Sequence, residues 1–123
     1  MHQHYLTIIF SHQISILMNV QIQTVHFDAD TRLTERINAK MDKLRTFHDK
    51  IVDVEVYLIL DNVAHTIKDK VAEIKVHIPR HSFFVKHSSK TFEESFDFAF
   101  DSMVNQIKRH KERRAAAPVE LPE

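Results

Sequence analysis

Cysteine, glycine and tryptophan are absent from this 123-residue sequence, and proline occurs only three times. Without cysteine the chain has no disulfide, no thiolate ligand for zinc and no cysteine nucleophile, a composition that fits a reducing compartment such as the cytoplasm. Without glycine it lacks the P-loop, the dinucleotide-binding fingerprint and the G-x-S-x-G nucleophile elbow, because each of these motifs requires glycine. The sequence therefore excludes most templates of nucleotide-dependent enzymes.

The remaining composition is that of one globular domain with an uneven distribution of charge. Hydrophobic residues make up 43% of the chain, and its length lies within the usual size of a single domain. Seventeen basic and seventeen acidic residues cancel overall. Between Lys108 and Arg114, however, five basic residues accompany the single acid Glu112, a local net charge of +4. The C-terminal region therefore carries a concentrated positive field.

Residues 1–17 contain no lysine or arginine, and their longest apolar run is Ile8–Phe10. They fit neither a secretory signal, which needs a basic start and an apolar stretch of about 7–15 residues, nor a membrane span. Two interpretations remain. Leu6–Phe10 could add an edge strand to a sheet, or residues 1–17 are an extension that results from an incorrect start site, with Met18 as the native first residue. The weak hydrophobic pattern favours the second interpretation.

Four segments alternate apolar and polar residues with the period of a half-buried strand. The first begins at Asn19 and has Val20 and Ile22 on its apolar side. The second, Val52–Leu60, is the clearest of the four. The third and fourth are Ala72–Ile78 and Phe83–His87.

Two further segments have helical spacing. Apolar residues at spacings of 4, 4, 3 and 3 predict a first helix from about Thr31 to Phe47. The sequence Thr91-Phe-Glu-Glu has the form of a capping box, in which a hydroxyl and a carboxylate satisfy two helix-start amides reciprocally. It predicts a second helix that continues to about Arg114, followed by a disordered tail over residues 115–123.

The predicted order of elements is β-α-β-β-β-α, which indicates the α+β class. We expect a two-layer sandwich in which a mixed four-stranded sheet carries both helices on one face. Its first two strands are parallel and joined by a right-handed crossover. The opposite sheet face is expected to be open to solvent because it carries Glu55, Glu73 and Lys75. A single domain is predicted over residues 18–114.

Basic residues on the predicted helices are the strongest functional signal. On the first helix four of them recur at spacings of 4, 4 and 3 and fall within an arc of about 80° along one edge. Helix ends and solvated surfaces also carry cations without any partner, but an aligned row favours a regularly spaced polyanion such as RNA or DNA. The candidate RNA-binding residues are Arg32, Arg36, Lys40, Lys43, Lys86, Lys90, Lys108, Arg109, Lys111, Arg113 and Arg114.

Ten histidines raise the question of a metal site, but their spacing gives it little support. The pair His77 and His81 spans a strand end and a proline turn, and no H-E-x-x-H motif occurs. We therefore predict no metal site, cofactor, catalytic residue or small-molecule substrate. Two alternatives stay open: a histidine-dependent metal protein or enzyme that uses His77 and His81, and a structural oligomer that pairs through Leu6–Phe10.

From Met18 to about Arg114 the sequence resembles the bacterial ribosome hibernation promoting factors, also called ribosomal subunit interface proteins or ribosome-associated inhibitors. Each matching segment is weak alone, but their order and spacing together are specific. The segments are Met18-Asn-Val-Gln-Ile22, Lys40-Met-Asp-Lys-Leu-Arg-Thr-Phe47, Ala72-Glu-Ile-Lys-Val-His-Ile78, Thr91-Phe-Glu-Glu-Ser-Phe-Asp97 and Gln106-Ile-Lys-Arg-His-Lys111.

This resemblance implies a β-α-β-β-β-α domain that is not an enzyme and acts in the cytoplasm. It implies binding to ribosomal RNA of the small ribosomal subunit, in the channel used by messenger and transfer RNA, so that idle ribosomes are silenced in stationary phase or stress. Other ribosome-dimerising factors are potential partners, and the protein is expected to be monomeric off the ribosome. Long members add a dimerisation domain, and this sequence is similar to the short form.

The resemblance carries over unevenly to individual residues. Lys40, Lys43 and Arg109 match basic positions of the family. Ser102 and Asn105 stand where the family often has lysine or arginine. His87 occupies a position where the family has a small inward residue, so it is expected to lie toward the core.

Overall fold

The computed structural model of the protein describes residues 5–8, 19–61 and 69–116. Alternating apolar residues form the strands, and residues at helical spacing form the helices. In chain order the elements are β1 Tyr5–Ile8, β2 Asn19–Val25, α1 Thr31–Lys43 with a 3-10 turn Leu44–Thr46, β3 Asp53–Leu60, β4 Lys70–Ile78, β5 His81–Ser89 and α2 Phe92–Ala116.

The strands form one mixed sheet in the order β1-β2-β3-β4-β5. Strands β2 and β3 are parallel, from Asn19 opposite Asp53 to Val25 opposite Ile59, and α1 is the crossover between them. The pairs β3–β4 and β4–β5 are antiparallel. The predicted α+β class, the mixed sheet of the four predicted strands, which are β2 to β5, and the two helices are confirmed.

A fifth strand, β1, pairs antiparallel with the outer edge of β2, from Tyr5 opposite Val25 to Ile8 opposite Ile22. The less favoured interpretation, in which the N-terminal segment adds an edge strand, is therefore the one that the structure shows over Tyr5–Ile8. Residues 9 and 10 of the predicted strand lie outside the described part of the chain. The start at Met18 and the pairing of copies through this segment stay predictions.

The hairpin between β4 and β5 is tighter, and β5 longer, than the sequence predicts. Only Pro79 and Arg80 form the turn, so the ladder begins at once with Ile78 opposite His81 and continues to Lys70 opposite Ser89. Arg80 has φ of 70°, a left-handed conformation that glycine would adopt with less strain. The polar ends of β5 pair through their backbones, and side-chain alternation could not reveal this.

Both helices begin with side-chain caps. Asp30 accepts a hydrogen bond from the Leu33 amide at 2.8 Å at the start of α1. Thr91 Oγ1 accepts one from the Glu94 amide at 3.1 Å at the start of α2, which confirms the first half of the predicted capping box. The Glu94 carboxylate, however, accepts a hydrogen bond from the Ser89 hydroxyl. Helix α2 continues to Ala116, and residues 117–123 of the predicted tail lie outside the described chain.

The core fills the space between the helices and one face of the sheet. The inward residues of β2 to β5 and the apolar stripes of both helices form one cluster. Within this cluster Phe96 of α2 is completely buried. The buried Ser95 hydroxyl donates to the Lys70 carbonyl at 2.5 Å and ties the start of α2 to β4. The other face of β3 and β4 is only partly buried, as predicted.

Phe96 and Phe98 provide a matched test of this core because they lie two residues apart on α2. Phe96 is 0% exposed, whereas Phe98 is 47% exposed and contacts the ring of His87. Phe96→Ala should lower the free energy of unfolding by about 3–5 kcal/mol because it leaves a cavity, and Phe98→Ala by about 1 kcal/mol or less. Urea denaturation measures both. Equal losses would contradict the position of the core.

Candidate nucleic-acid interface

The two helices lie side by side and run in the same direction. Near their starts, Arg36 of α1 contacts Asp97 of α2. Further along, Phe47, which follows the 3-10 turn after α1, contacts Lys108 near the end of α2. The C-terminal ends of both helices therefore lie at the same end of the molecule. Their basic residues meet there, and we call Lys40, Lys43, Lys108, Arg109, Lys111, Arg113 and Arg114 the basic end.

Asp97 binds two of the predicted RNA-binding residues. The Arg36 guanidinium lies 2.6 Å from its Oδ2, and Lys40 Nζ lies 3.3 Å from its Oδ1. Partial burial of the Asp97 carboxyl acts to raise its pKa, but the hydrogen bonds and charges of Arg36 and Lys40 outweigh this and lower the pKa overall. Lys40 Nζ also lies 5.2 Å from the centre of the Phe100 ring. Internal contacts therefore fix two cations of the predicted row, whereas Arg32 and Lys43 are exposed.

Two lysines of α2 contact Phe47, the residue that follows the 3-10 turn after α1, at the junction between the two helices. Lys111 Nζ donates to the carbonyl oxygen of Phe47 at 2.8 Å. Lys108 Nζ lies 5.2 Å from the centre of the Phe47 ring, a distance that permits a cation–π interaction. These contacts satisfy a main-chain carbonyl after the 3-10 turn and keep both ammonium groups close to the end of α1.

The other candidate residues lie on several different surfaces. Arg109 and Arg113 are exposed on another flank of α2, and Arg109 lies about 160° around the helix axis from Lys111. Lys90 is exposed just before α2. Lys86 is exposed on the open sheet face, with Nζ 4.0 Å from a Glu73 carboxylate oxygen. The structure thus brings seven of the helical cations to one end, leaves Arg32 and Arg36 nearer the start of α1, and separates Lys86 from the basic end.

A cleft of about 740 Å³ lies at the same end. It is formed by the chain after α1, by the β4–β5 turn and by the last turns of α2. The sequence did not single out this cleft, because its walls come from three distant segments without a shared periodicity. Its polar lining residues are His48, Asp49, Lys50, Arg80, His81, His110, Lys111 and Arg114.

Two histidines of the cleft, His110 and His48, have lowered pKa values. The rings of His81 and His110 stack with centroids 4.4 Å apart. Burial, followed by the charges of His81 and nearby arginines, lowers the pKa of His110. Burial and the neighbouring Lys111 lower that of His48. Both shifts favour the neutral imidazole of these two residues over its charged form.

His77 and His81, the pair that a metal protein would need, are not brought together. His77 projects from the open sheet face, where Nδ1 lies 2.8 Å from the Ser82 hydroxyl. His81 lies toward the helices, against Phe83 and His110. The two side chains are on opposite faces because the two-residue turn pairs His81 with Ile78 and Ser82 with His77.

Three positions that the resemblance singled out lie along α2 and its neighbouring strand. His87 is half-buried on the helix side of β5, with its ring 4.7 Å from that of the exposed Phe98. It points toward the helices as expected but lies at the edge of the core. Ser102 and Asn105 are exposed on α2 and add no charge to the basic end.

The basic ends of two parallel helices lie on one side of this α+β domain, an arrangement of charge that is complementary to a polyanion. The sequence profile of the family described as "Sigma 54 modulation protein / S30EA ribosomal protein" matches residues 20–115. The chain belongs to this family and is a ribosome-associated protein. Members of this family are ribosome-binding factors, and the family is not known for enzymatic activity.

Two solved structures show the same fold. A ribosomal subunit interface protein from Coxiella burnetii is 16% identical, with a TM-score of 0.67, over 76% of this chain and 97% of that one. The N-terminal domain of Protein Y from Thermus thermophilus is 22% identical, with a TM-score of 0.62, over 79% of this chain and 99% of that one. No curated protein matches the sequence. Within the described residues, neither helix is long and apolar enough to cross a membrane.

Asp97→Asn should lower the free energy of unfolding at pH 7 by about 0.5–1 kcal/mol, a modest amount because solvent screens these partly exposed ion pairs. The folded-state pKa lies below the ordinary value of about 3.9, so the stabilisation is complete above that value and is lost as the pH falls through the folded pKa. Urea denaturation from pH 7 to pH 3 should therefore show wild type and variant converging in acid.

Asp101→Asn is the matched control because Asp101 is exposed one turn further along α2. A difference between Asp97→Asn and wild type that stayed constant down to pH 3 would contradict an electrostatic role of Asp97.

Proposed function

We propose that this protein binds the small ribosomal subunit through its basic end, occupies the channel used by messenger and transfer RNA, and thereby inhibits translation in stationary phase or stress. The observation that carries the proposal is the convergence of the basic C-terminal ends of α1 and α2 in a member of a ribosome-associated family. Binding to ribosomes places its action in the cytoplasm.

Affinity would come mainly from phosphate neutralisation. Exposed cations such as Lys43, Arg109 and Arg113 can each replace a counterion on ribosomal RNA, and the release of these ions favours binding. Lys108 and Lys111 are held by Phe47, so they reach the RNA with less loss of side-chain freedom. Folded RNA is recognised through shape and backbone, a mode that suits a rigid layer of two helices.

Inhibition would come from occlusion. The helices face the RNA in this proposal, and the five-stranded sheet behind them fills space that decoding ligands need. No bond is made or broken, so no catalytic group, cofactor or small-molecule substrate is required. Association with other ribosome-dimerising factors would be a separate step and does not enter this mechanism.

Sedimentation with purified small subunits tests the proposal directly. The protein should co-sediment at low salt and dissociate as the salt concentration rises. A messenger RNA with a bound transfer RNA should displace it, because both ligands use the proposed position. Failure to co-sediment at low salt would overturn subunit binding, and simultaneous binding with both RNAs would overturn occupation of the channel.

Charge reversal at the basic end should weaken binding. Lys43→Glu removes a phosphate partner and adds a repulsive charge, so we expect a roughly tenfold loss of affinity for small subunits. Arg45→Glu is the matched control because the charge change is the same and Arg45 is also exposed. Arg45 follows Lys43 by two residues, and the turn geometry directs these two side chains to different sides. Equal losses would show that overall charge, and not this surface, binds the subunit.

The triple variant Lys40→Glu, Lys43→Glu and Arg109→Glu extends this comparison to salt dependence. If each residue contacts a phosphate, the slope of log affinity against log salt concentration should become shallower by on the order of 2–3. An unchanged slope would mean that these three cations release no counterions in the complex.

A further inference from the structure

The open sheet face carries a group of side chains that RNA binding by the helices does not use. Asp53 and Glu55 are on the same side of β3, and His77 of β4 lies directly opposite Asp53 in the antiparallel ladder. A carboxylate oxygen of each acid and one imidazole nitrogen lie within 4.8 Å of one another. In the described part of the chain this is the one such group of three that could hold a metal ion.

From this arrangement we propose that Asp53, Glu55 and His77 form a binding site for a divalent transition-metal ion of the zinc type. Imidazole and carboxylate together suit Zn²⁺, whereas Mg²⁺ and Ca²⁺ prefer oxygen ligands alone. The fourth coordination position faces solvent, since each of the three side chains is about one-third exposed.

The distances fit a tetrahedral ion. Bonds of about 2.0–2.2 Å from zinc to nitrogen and oxygen place neighbouring ligand atoms about 3.3–3.5 Å apart. His77 Nε2 lies 3.3 Å from Glu55 Oε2 and 3.6 Å from Asp53 Oδ1. The two carboxylate oxygens lie no more than 4.8 Å apart, and rotation of the Asp53 or Glu55 side chain can adjust this separation.

Hydrogen bonds orient two of the three ligands, His77 and Glu55, through the atoms that would not contact the metal ion. His77 Nδ1 lies 2.8 Å from Ser82 Oγ, which leaves Nε2 directed at the carboxylates. The Tyr57 hydroxyl donates to Glu55 Oε1 at 2.7 Å and leaves Oε2 as the atom that faces His77. Supporting partners of this kind fix the orientation of metal ligands in proteins.

Asp53 supplies an independent indication. Its Oδ1 is shielded from solvent and accepts no hydrogen bond from any described group. The nearest cationic partner, His77 Nε2, is 3.6 Å away, which is too far for a hydrogen bond. The Asp53 side chain as a whole is 39% exposed, but this one oxygen lacks a donor, and a metal ion between Oδ1 and Nε2 would satisfy it.

Isothermal titration of the full chain with Zn²⁺ tests the site. We expect one site in the micromolar range that Mg²⁺ does not compete for, and loss of that site in His77→Ala. His81→Ala is the matched control because His81 belongs to the same hairpin but lies on the opposite face, so it should bind Zn²⁺ like wild type. Equal binding by wild type and His77→Ala, or no saturation up to about 1 mM, would overturn the site.

Two further variants keep the test decisive if His77→Ala folds poorly. Ser82→Ala removes only the hydrogen bond behind the ligand and should weaken Zn²⁺ binding by about tenfold or more. Lys75→Met removes an ammonium group that lies near Glu55 and should tighten binding. If neither variant changes the affinity, Zn²⁺ is bound elsewhere on the chain and the proposal fails.

Discussion

Parallel pairing of β2 with β3 is the constraint on which the arrangement of the molecule depends. Parallel neighbours need a crossover, and α1 provides it by running back across one face of the sheet. Strand β5 runs in the same direction as β3 because both strands pair antiparallel with β4. The chain after β5 must return over the same face to cover the remaining apolar side chains, so α2 runs in the direction of α1. Both C-terminal ends consequently meet.

This topology converts a chain of zero formal net charge into an electrostatically polar molecule. The first turn of α2 contains Glu93 and Glu94, and its last turn contains Arg113 and Arg114. Acids near helix starts and bases near helix ends are each favoured by the helix dipole, so this separation of charge also stabilises the fold. A molecule of this kind can be oriented by the field of a polyanion before contact, although its total charge would not attract it.

Sequence reasoning succeeded where one periodicity corresponds to one structural role. The alternation around Val54 and Ile74 identified strands because one sheet face is buried, and the segment Lys40–Phe47 contributed to identifying the family. The ion pair between Arg36 and Asp97 could not be predicted, because its partners are 61 residues apart and meet only when the helices align. The approach of His77 to Asp53 and Glu55 likewise depends on strand register and on the two-residue turn.

The short strand β1 has a consequence for the solubility of the protein. An uncovered edge strand offers a row of unpaired amide and carbonyl groups to any other extended chain, and this is a common route to aggregation. Four residues of β1 pair with β2 from Ile22 to Val25 and occupy that row. On the opposite edge, β5 carries Lys86, and charged side chains discourage strand addition. On the β1 side the outer edge is then a strand of four residues instead of the seven of β2, and a very short edge strand limits strand addition.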